Sequence, residues 1–401
     1  IYGEKRLMRK SFYLFLLSGF VCTSIFFVKT KNQSPKSSWL NLELNTNCPP
    51  GFVKDEQNRC VSRNLYLQYS IADAPGVGGL KTALPAAREG FTPQQIDLGR
   101  YLFFDPVLSA NGKISCSTCH DPNKGFSDGL ASSIGINDYP LQRAAPSLWN
   151  VAYLKLLYWD GRAASLEEQM QGPLFSDHEM GNSPENLVGT LNKIVAYRHL
   201  FGQAFPEKKE NEPILLDEVY LAITAFQSSL ISLNSRYDQY AHGHHQALNK
   251  NEIEGLNVFR SFVARCAECH TPPLFTNQQL AVIGAPEPPG KSFDPGAEIT
   301  FNEKTLRGGF KVPSLRNITK TAPYSHSGAF KNLKEAIRFY TLGRGHAVPE
   351  GEKLTLHWHI WEPKLSDEEI DLLVEFLHTL TDESFMPSEP EILPSQLNSN
   401  S

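Results

Sequence analysis

The chain has 401 residues, of which 41% are hydrophobic, and a formal net charge of −5. That apolar share is enough for ordinary cores, at a length that suits about two domains. The mild acidity, without any long basic run, leaves nucleic-acid binding unsupported.

In chain order, the first feature is an export signal. Lys5, Arg6, Arg9 and Lys10 precede the apolar run SFYLFLLSGFVCTSIFFV, which stops at Lys29, and Met8 is a candidate start. The 18 residues of this run would reach about 27 Å as a helix, nearly a bilayer. No small-x-small cleavage site stands out, so residues 1–30 read either as a cleaved signal peptide or as a retained membrane anchor. Both place the body of the protein outside the cytoplasm, in a bacterial periplasm.

Residues 31–90 are polar and punctuated by Pro and Gly, which predicts a linker and extended loop. Within them Cys48 and Cys60 bracket CPPGFVKDEQNRC. The pair is most simply a disulfide, formed in an oxidising compartment; two free surface thiols are the alternative. The first strong helix start is FTPQQIDLGRYLFFD, with Thr92 as N-cap, Pro93 in the first turn and Gln95 completing a capping box.

That helix leads into ISCSTCHDPNKGF, which arranges Cys116, Cys119 and His120 as C-x-x-C-H. Two cysteines for thioether bonds, followed at once by a histidine for axial ligation, form the attachment pattern of haem c. The chain holds seven Cys and twelve His, from which about 0.004 chance matches are expected. A second match nevertheless occurs in RCAECHTPPLF, at Cys266, Cys269 and His270. A zinc ribbon also uses two C-x-x-C pairs, but usually about 15–20 residues apart, whereas 147 residues separate Cys119 from Cys266. A thioredoxin-like pair would follow a strand, and nothing β-rich precedes either motif. Two covalently bound haem c groups are therefore expected.

The second motif follows NEIEGLNVFRSF. Aligning Gly255 with Gly99 also aligns Phe259 with Phe103, a weak internal repeat that predicts two related haem domains. Further helices are announced by caps at Ser165 with Glu168, Asn332 with Glu335, and Ser366 with Glu369. The last carries Ile370, Leu373, Leu377 and Leu380 on one face. The fold expected is mainly α: two cytochrome c-like haem domains with long loops and little β structure, at 91–248 and 249–385, then a polar tail at 386–401. Between the halves, AHGHHQA holds His242, His244 and His245. Three histidines at a polar junction are more often solvated than metal-bound, and no role is assigned to them.

Two haems alone suit an electron carrier as well as an enzyme. An enzyme needs one iron with an open face and acid/base groups beside it. Here the chain resembles a known family. LYWDGRAASLEEQMQGPLFSDHEMG and FKVPSLRNITKTAPYSHSGAFKNLKEAI are similar to the signature stretches of bacterial di-haem cytochrome c peroxidases and their relative MauG. The resemblance runs from about Gln94 to Phe385. It implies that hydrogen peroxide reacts at the N-terminal haem, whose open site faces a glutamate matched by Glu179. Peroxide cleavage needs a proton carried from one oxygen to the other, a task suited to a carboxylate. The resemblance also implies an electron relay at Trp159, between the haems, and distal-pocket positions at Gln169 and Pro173. A solvent-facing glutamate and a core tryptophan are the bland readings of Glu179 and Trp159.

Three departures from the family pattern refine the expectation. Conventional members cap the resting peroxidatic iron with a histidine sixteen residues beyond the first haem histidine. Counting from His120 gives Ile136, which cannot ligate iron. Their second haem takes a methionine fourteen residues after the histidine of PYxH, here His326. That position is Tyr340, as in MauG-type proteins, so the resemblance implies His270 and Tyr340 as axial ligands; a helix-face aromatic is the bland reading. Finally, the family's interdomain calcium site has backbone donors matched by Thr321 and Pro323, but its asparagine corresponds to Ala144, which puts calcium in doubt.

Methionine raises a haem's potential, and an anionic phenolate should lower it. The second haem would then accept electrons less readily and store oxidising equivalents. The function expected is an exported di-haem c-type peroxidase with MauG-like ligation, its second haem serving as an electron-transfer centre or a store of oxidising equivalents, and its partner a small electron-donor protein or a protein substrate. One alternative is a conventional peroxidase drawing electrons from a c-type cytochrome or cupredoxin. The other is a non-catalytic di-haem carrier. The sequence decides neither the membrane anchor nor a homodimer.

Overall fold

The computed structural model describes residues 42–67, 84–209, 211–360 and 363–397; the N-terminal apolar run and Cys22 lie outside them. Cys48 and Cys60 are joined as a disulfide. It closes a loop whose short strands β1 (Phe52–Lys54) and β2 (Cys60–Ser62) pair antiparallel. The described part of this region is more than the linker its composition predicts. Leu44 and Tyr66 are buried, and the Tyr66 hydroxyl donates to Asp238 at 2.6 Å. The same carboxylate receives two bonds from Arg316, at 2.6 and 2.7 Å. Single anchoring side chains do this work, so no periodic pattern betrays it.

Thr92 caps α1 (Pro93–Phe104), accepting from the Gln95 N–H at 3.2 Å, and Gln95 returns the bond at 3.1 Å. The first half continues through α2 (Cys116–Cys119), α3 (Leu166–Gln169), α4 (Gln171–Phe175), α5 (Pro184–Lys193), α6 (Val195–Ala204), α7 (Leu216–Ser228) and α8 (Arg236–Ala241). The second half contains α9 (Lys250–Phe259), α10 (Cys266–Cys269), β3 (Leu280–Val282), α11 (Ala297–Phe301), β4 (Gly309–Lys311), α12 (Leu333–Thr341) and α13 (Asp367–His378). The fold is mainly helical, and β3 pairs antiparallel with β4. No helix among the described residues is long and apolar enough to cross a membrane.

The repeat at Gly99 and Gly255 is a helix crossing used twice. Helix α1 packs on α7, and α9 on α13. A Cβ on Gly99 would lie 1.9 Å from the Ala222 carbonyl oxygen and 2.8 Å from Phe226 Cβ. A Cβ on Gly255 would lie 2.0 Å from the Leu372 carbonyl oxygen and 2.9 Å from Phe376 Cβ. The aligned phenylalanines complete each crossing: Phe103 meets Phe226 at 5.0 Å between ring centroids, and Phe259 meets Phe376 at 5.1 Å. Ile370, Leu373, Leu377 and Leu380 are buried, as the stripe predicted.

The chain end departs from the expected polar tail. Leu393 is buried in the first-half core, and the Ser395 hydroxyl donates to Asp105 at 2.6 Å. His244 and His245 are exposed, while His242 Nδ1 lies 2.8 Å from the Asp238 carbonyl. Among the described residues, no cluster of three or more His, Cys, Asp or Glu is arranged to hold a metal ion.

Because each crossing glycine touches backbone, Gly99→Ala and Gly255→Ala are each expected to cost about 1–3 kcal/mol or more through overpacking. Gly189, on α5 with nothing within 4 Å of its would-be Cβ, supplies the control. There alanine should be stabilising, by up to about 1 kcal/mol. Denaturant unfolding of the three variants decides it; equal effects would remove the crossing from the account.

Candidate haem sites and the groups between them

Each C-x-x-C occupies one helical turn, α2 or α10, and each histidine follows directly. The His120 N–H donates back to the Cys116 carbonyl at 2.9 Å, and the His270 N–H to the Cys266 carbonyl at 2.8 Å. The rings are oriented by carbonyls. His120 Nδ1 lies 2.9 Å from the Phe126 oxygen, and His270 Nδ1 lies 3.2 and 3.1 Å from those of Phe275 and Pro313. Carbonyl oxygens only accept, so Nδ1 carries the proton and Nε2 keeps its lone pair for a metal. Burial pushes both imidazole pKa values down, which favours the neutral ring.

The surroundings fit haem c. Burial pushes the thiols of Cys116, Cys119 and Cys266 up to about 12, unlike the depressed values of redox-active cysteines. The second motif opens on a cavity of about 310 Å³, lined by Cys266, Cys269, His270, Tyr340, Trp159 and Lys311 among others. Tyr340 is 37% exposed and turns surface to this cavity; burial pushes its phenol pKa up. Lys311 is buried, and its ammonium makes no hydrogen bond or ion pair among the described residues. Desolvation alone pushes its pKa down to about 8. A buried cation without a partner calls for an anion, and haem brings two propionate carboxylates. Beside the first motif, Asp128 Oδ2 and Ser133 Oγ are buried and make no hydrogen bond among the described residues, which fits polar contacts to a bound group.

Glu179 lies between α4 and α5. Burial pushes its carboxyl pKa up, against the pull of Arg162. Its charge, with that of Asp128, acts on the Cys119 thiol, which places this carboxylate near the first motif. The loop carrying Ile136 is clamped onto the same segment. The Ile136 N–H donates to the Glu179 carbonyl at 2.7 Å, and a Cβ on Gly135 would stand 1.9 Å from the His178 carbonyl oxygen. Ile136 is buried, while Asn137, Asp138 and Tyr139 face solvent. Gln169 and Pro173, on α3 and α4, are half-buried. The Gln169 carbonyl accepts from the Tyr158 hydroxyl at 2.5 Å, and the Pro173 carbonyl accepts from the Met180 N–H at 3.1 Å.

Trp159 lines the second cavity. Its Nε1–H donates to the Ala144 carbonyl at 2.9 Å, and the Ala144 N–H donates to the His326 carbonyl at 2.8 Å. His326 also lines the cavity, but its Nε2 lies 2.7 Å from the Glu287 carboxylate and its ring stacks on Phe310 at 3.8 Å. Strand β4 joins the group, since the Lys311 N–H donates to the Trp159 carbonyl at 2.7 Å. Thr321 and Pro323 line the same cavity. Sequence reasoning missed Lys311, Glu287, Asp128 and Ser133. A lysine between phenylalanine and valine in FKVP was the one visible signal among them.

Comparison with known proteins agrees with this arrangement. The family described as di-haem cytochrome c peroxidase matches residues 93–246, and cytochrome c matches residues 257–381. The methylamine utilization protein MauG of Methylorubrum extorquens is 34% identical over 302 residues, covering 75% of this chain and 82% of its own. The cytochrome c551 peroxidase of Nitrosomonas europaea is 33% identical over 296 residues, covering 72% and 81%. Among solved structures, a MauG-like protein associated with microbial copper homeostasis superposes with a TM-score of 0.66 at 33% identity, over 73% of this chain and 91% of its own. The diheme peroxidase BthA from Burkholderia thailandensis does so at 0.63 and 26%, over 76% and 97%. With two cytochrome c-like halves that imply two c-type haems, the chain belongs to the di-haem cytochrome c peroxidase and MauG family and is a peroxidase-type oxidoreductase.

Proposed function

We propose that this protein is an exported enzyme that reduces hydrogen peroxide at the haem of residues 91–248. Residues 249–385 would hold a second haem, with MauG-like ligation, able to relay electrons or store oxidising equivalents. The observation that carries this reading is Tyr340. Its phenol shares one cavity with Cys266, Cys269 and His270, at the position where conventional relatives place methionine. His120 and His270 would supply Nε2 to the two irons, the four motif cysteines the thioether sulfurs, and Tyr340 a further ligand in the C-terminal half.

When bound, the haems supply the redox chemistry of peroxide; the chain supplies proton movement and positioning. Glu179 takes a proton from one peroxide oxygen and returns it to the other, and a carboxyl pKa raised by burial suits a group that must do both. Gln169 and Pro173 wall the peroxide pocket, and Trp159 carries electrons between the halves. No calcium is invoked, because Ala144 has no side-chain oxygen and its carbonyl is committed to Trp159. The charged, apolar N-terminus and the Cys48–Cys60 disulfide support a periplasmic location. The electrons come from a c-type cytochrome, a cupredoxin or a protein substrate.

Replacing Glu179 with Gln removes the proton carrier and should slow the peroxide step by about 10²–10⁴-fold. Stopped-flow mixing measures this, and a near wild-type rate would take Glu179 out of the mechanism. Tyr340→Met should raise the potential of the second haem in a spectroelectrochemical titration. An unchanged potential together with an unchanged spectrum would show that Tyr340 is not a ligand. Finally, with Ile136 in place of a capping histidine, fully oxidised protein should react with peroxide without prior reduction. A low-spin first haem that stays silent on mixing, yet responds after half-reduction, would restore the conventional cycle.

A further inference from the structure

One exposed aromatic residue outside the haem sites is joined to the second cavity. Trp358 is 66% exposed. Its ring centroid lies 3.5 Å from that of His359, and His359 lines the cavity of the second motif. His357 lies further out on the same side of the indole, its ring centroid 6.2 Å from that of Trp358 and 5.1 Å from that of His359. This short segment is tied down. The His357 N–H donates to the Val282 carbonyl of β3 at 2.8 Å. His359 Nε2 lies 2.8 Å from the carboxylate of Glu268, a residue inside the C-A-E-C turn of α10. A chain of touching groups therefore runs from the motif, through an imidazole, to an indole in solvent.

An indole is costly to expose, since burying a large apolar side chain removes its surface from water. Phe262, Ile299 and Leu342 are exposed as well, but none of these side chains gives up an electron readily. Tryptophan does.

We propose that Trp358 is a surface oxidation site, through which a one-electron donor protein too large to enter the cavity reduces the second haem pocket. The inference rests on the peroxidase reading above. Reducing one peroxide to two waters consumes two protons and two electrons. In each of two successive steps, one electron leaves the Trp358 indole by way of His359, and the indole keeps its N–H proton. The donor protein then returns one electron to the indole and is itself oxidised by one electron. The tryptophan is restored, and two donor molecules are oxidised per peroxide.

The test uses the full-length holoenzyme, with ferrocytochrome c as the large donor and hydroquinone as the small one. In Trp358→Phe, kcat/KM for ferrocytochrome c should fall about tenfold or more, whereas the stopped-flow peroxide rate and the hydroquinone turnover stay at wild-type values. Trp358→Tyr, which keeps an oxidisable ring, should recover part of the loss. A second readout needs no turnover. Wild-type enzyme given peroxide without any donor should gain oxygen on the peptide carrying Trp358, seen by mass spectrometry. Equal ferrocytochrome c rates in wild type and Trp358→Phe would overturn the proposal. So would oxygen appearing on Tyr139, which stacks on His178 beside the first pocket, and not on Trp358. A wild-type holoenzyme inert to peroxide would instead overturn the peroxidase reading, and this site with it.

Discussion

Both sites depend on a hydrogen bond from an imidazole Nδ1 to a backbone carbonyl. It decides which nitrogen is free, and it fixes the plane in which that nitrogen points. One acceptor in each site, Phe126 and Phe275 respectively, has a positive φ, of 60° and 54°. That left-handed conformation costs a non-glycine residue about 1–2 kcal/mol. Burying a phenylalanine returns about 1.5–3 kcal/mol, so the strain is sustainable only if the ring is well packed. Both rings are fully buried. Phe126 meets Phe103 at 6.1 Å, and Phe275 meets Phe259 at 5.8 Å. Those partners are the phenylalanines of the two helix crossings. The glycine contact, the aromatic cluster, the strained carbonyl and the oriented histidine thus form one device, present once in each half.

Between the devices the structure places charge sparingly. Arg143 binds both Asp160 and Asp294, at 2.7 and 2.6 Å, and His326 is matched by Glu287. Among the described residues, Lys311 alone faces the second cavity uncompensated. A positive charge beside a redox centre favours its reduced state, whereas a phenolate ligand favours the oxidised one. Under the proposed ligation the two effects would oppose each other at the second haem, and its potential would be a balance set by Lys311, Tyr340 and the propionates together. Trp159 is tied to Lys311 by its backbone carbonyl and, through its indole N–H and Ala144, to His326. A change in any of these groups is therefore felt at the tryptophan.

What was legible in the sequence was whatever has a fixed local spacing. C-x-x-C-H is local because two thioethers and a ligand must meet one porphyrin, and the Thr92–Gln95 box is local because a cap spans one turn. The glycine–phenylalanine repeat was visible on α1 and α9. Its other half, Ala222 with Phe226 and Leu372 with Phe376, was not, since an aliphatic residue and a phenylalanine four apart are common in any helix. Both quoted motif stretches end in the phenylalanine whose carbonyl holds the histidine, yet nothing in the letter announces a left-handed backbone. Tyr66, Glu287, Leu393 and Ser395 act on partners far along the chain. Side chains that act singly over such separations carry no period to detect.

The two departures from the family pattern make sense only as a pair. In the conventional cycle a readily reduced second haem receives the first electron, and that reduction frees the first iron from its distal histidine. A phenolate from Tyr340 would make this trigger hard to pull. An enzyme that kept the distal histidine would then stay locked. One that replaced the histidine but kept methionine would be open at all times, with its second haem still tuned to accept electrons from a carrier. On the proposed ligation, Ile136 with Tyr340 would remove the lock and the key together. The loop geometry is consistent with that, because the Ile136 N–H is already bonded to the carbonyl of Glu179, and the polar residues after it face solvent. The segment that would have to withdraw in a conventional relative is here packed against the residue it would have to expose.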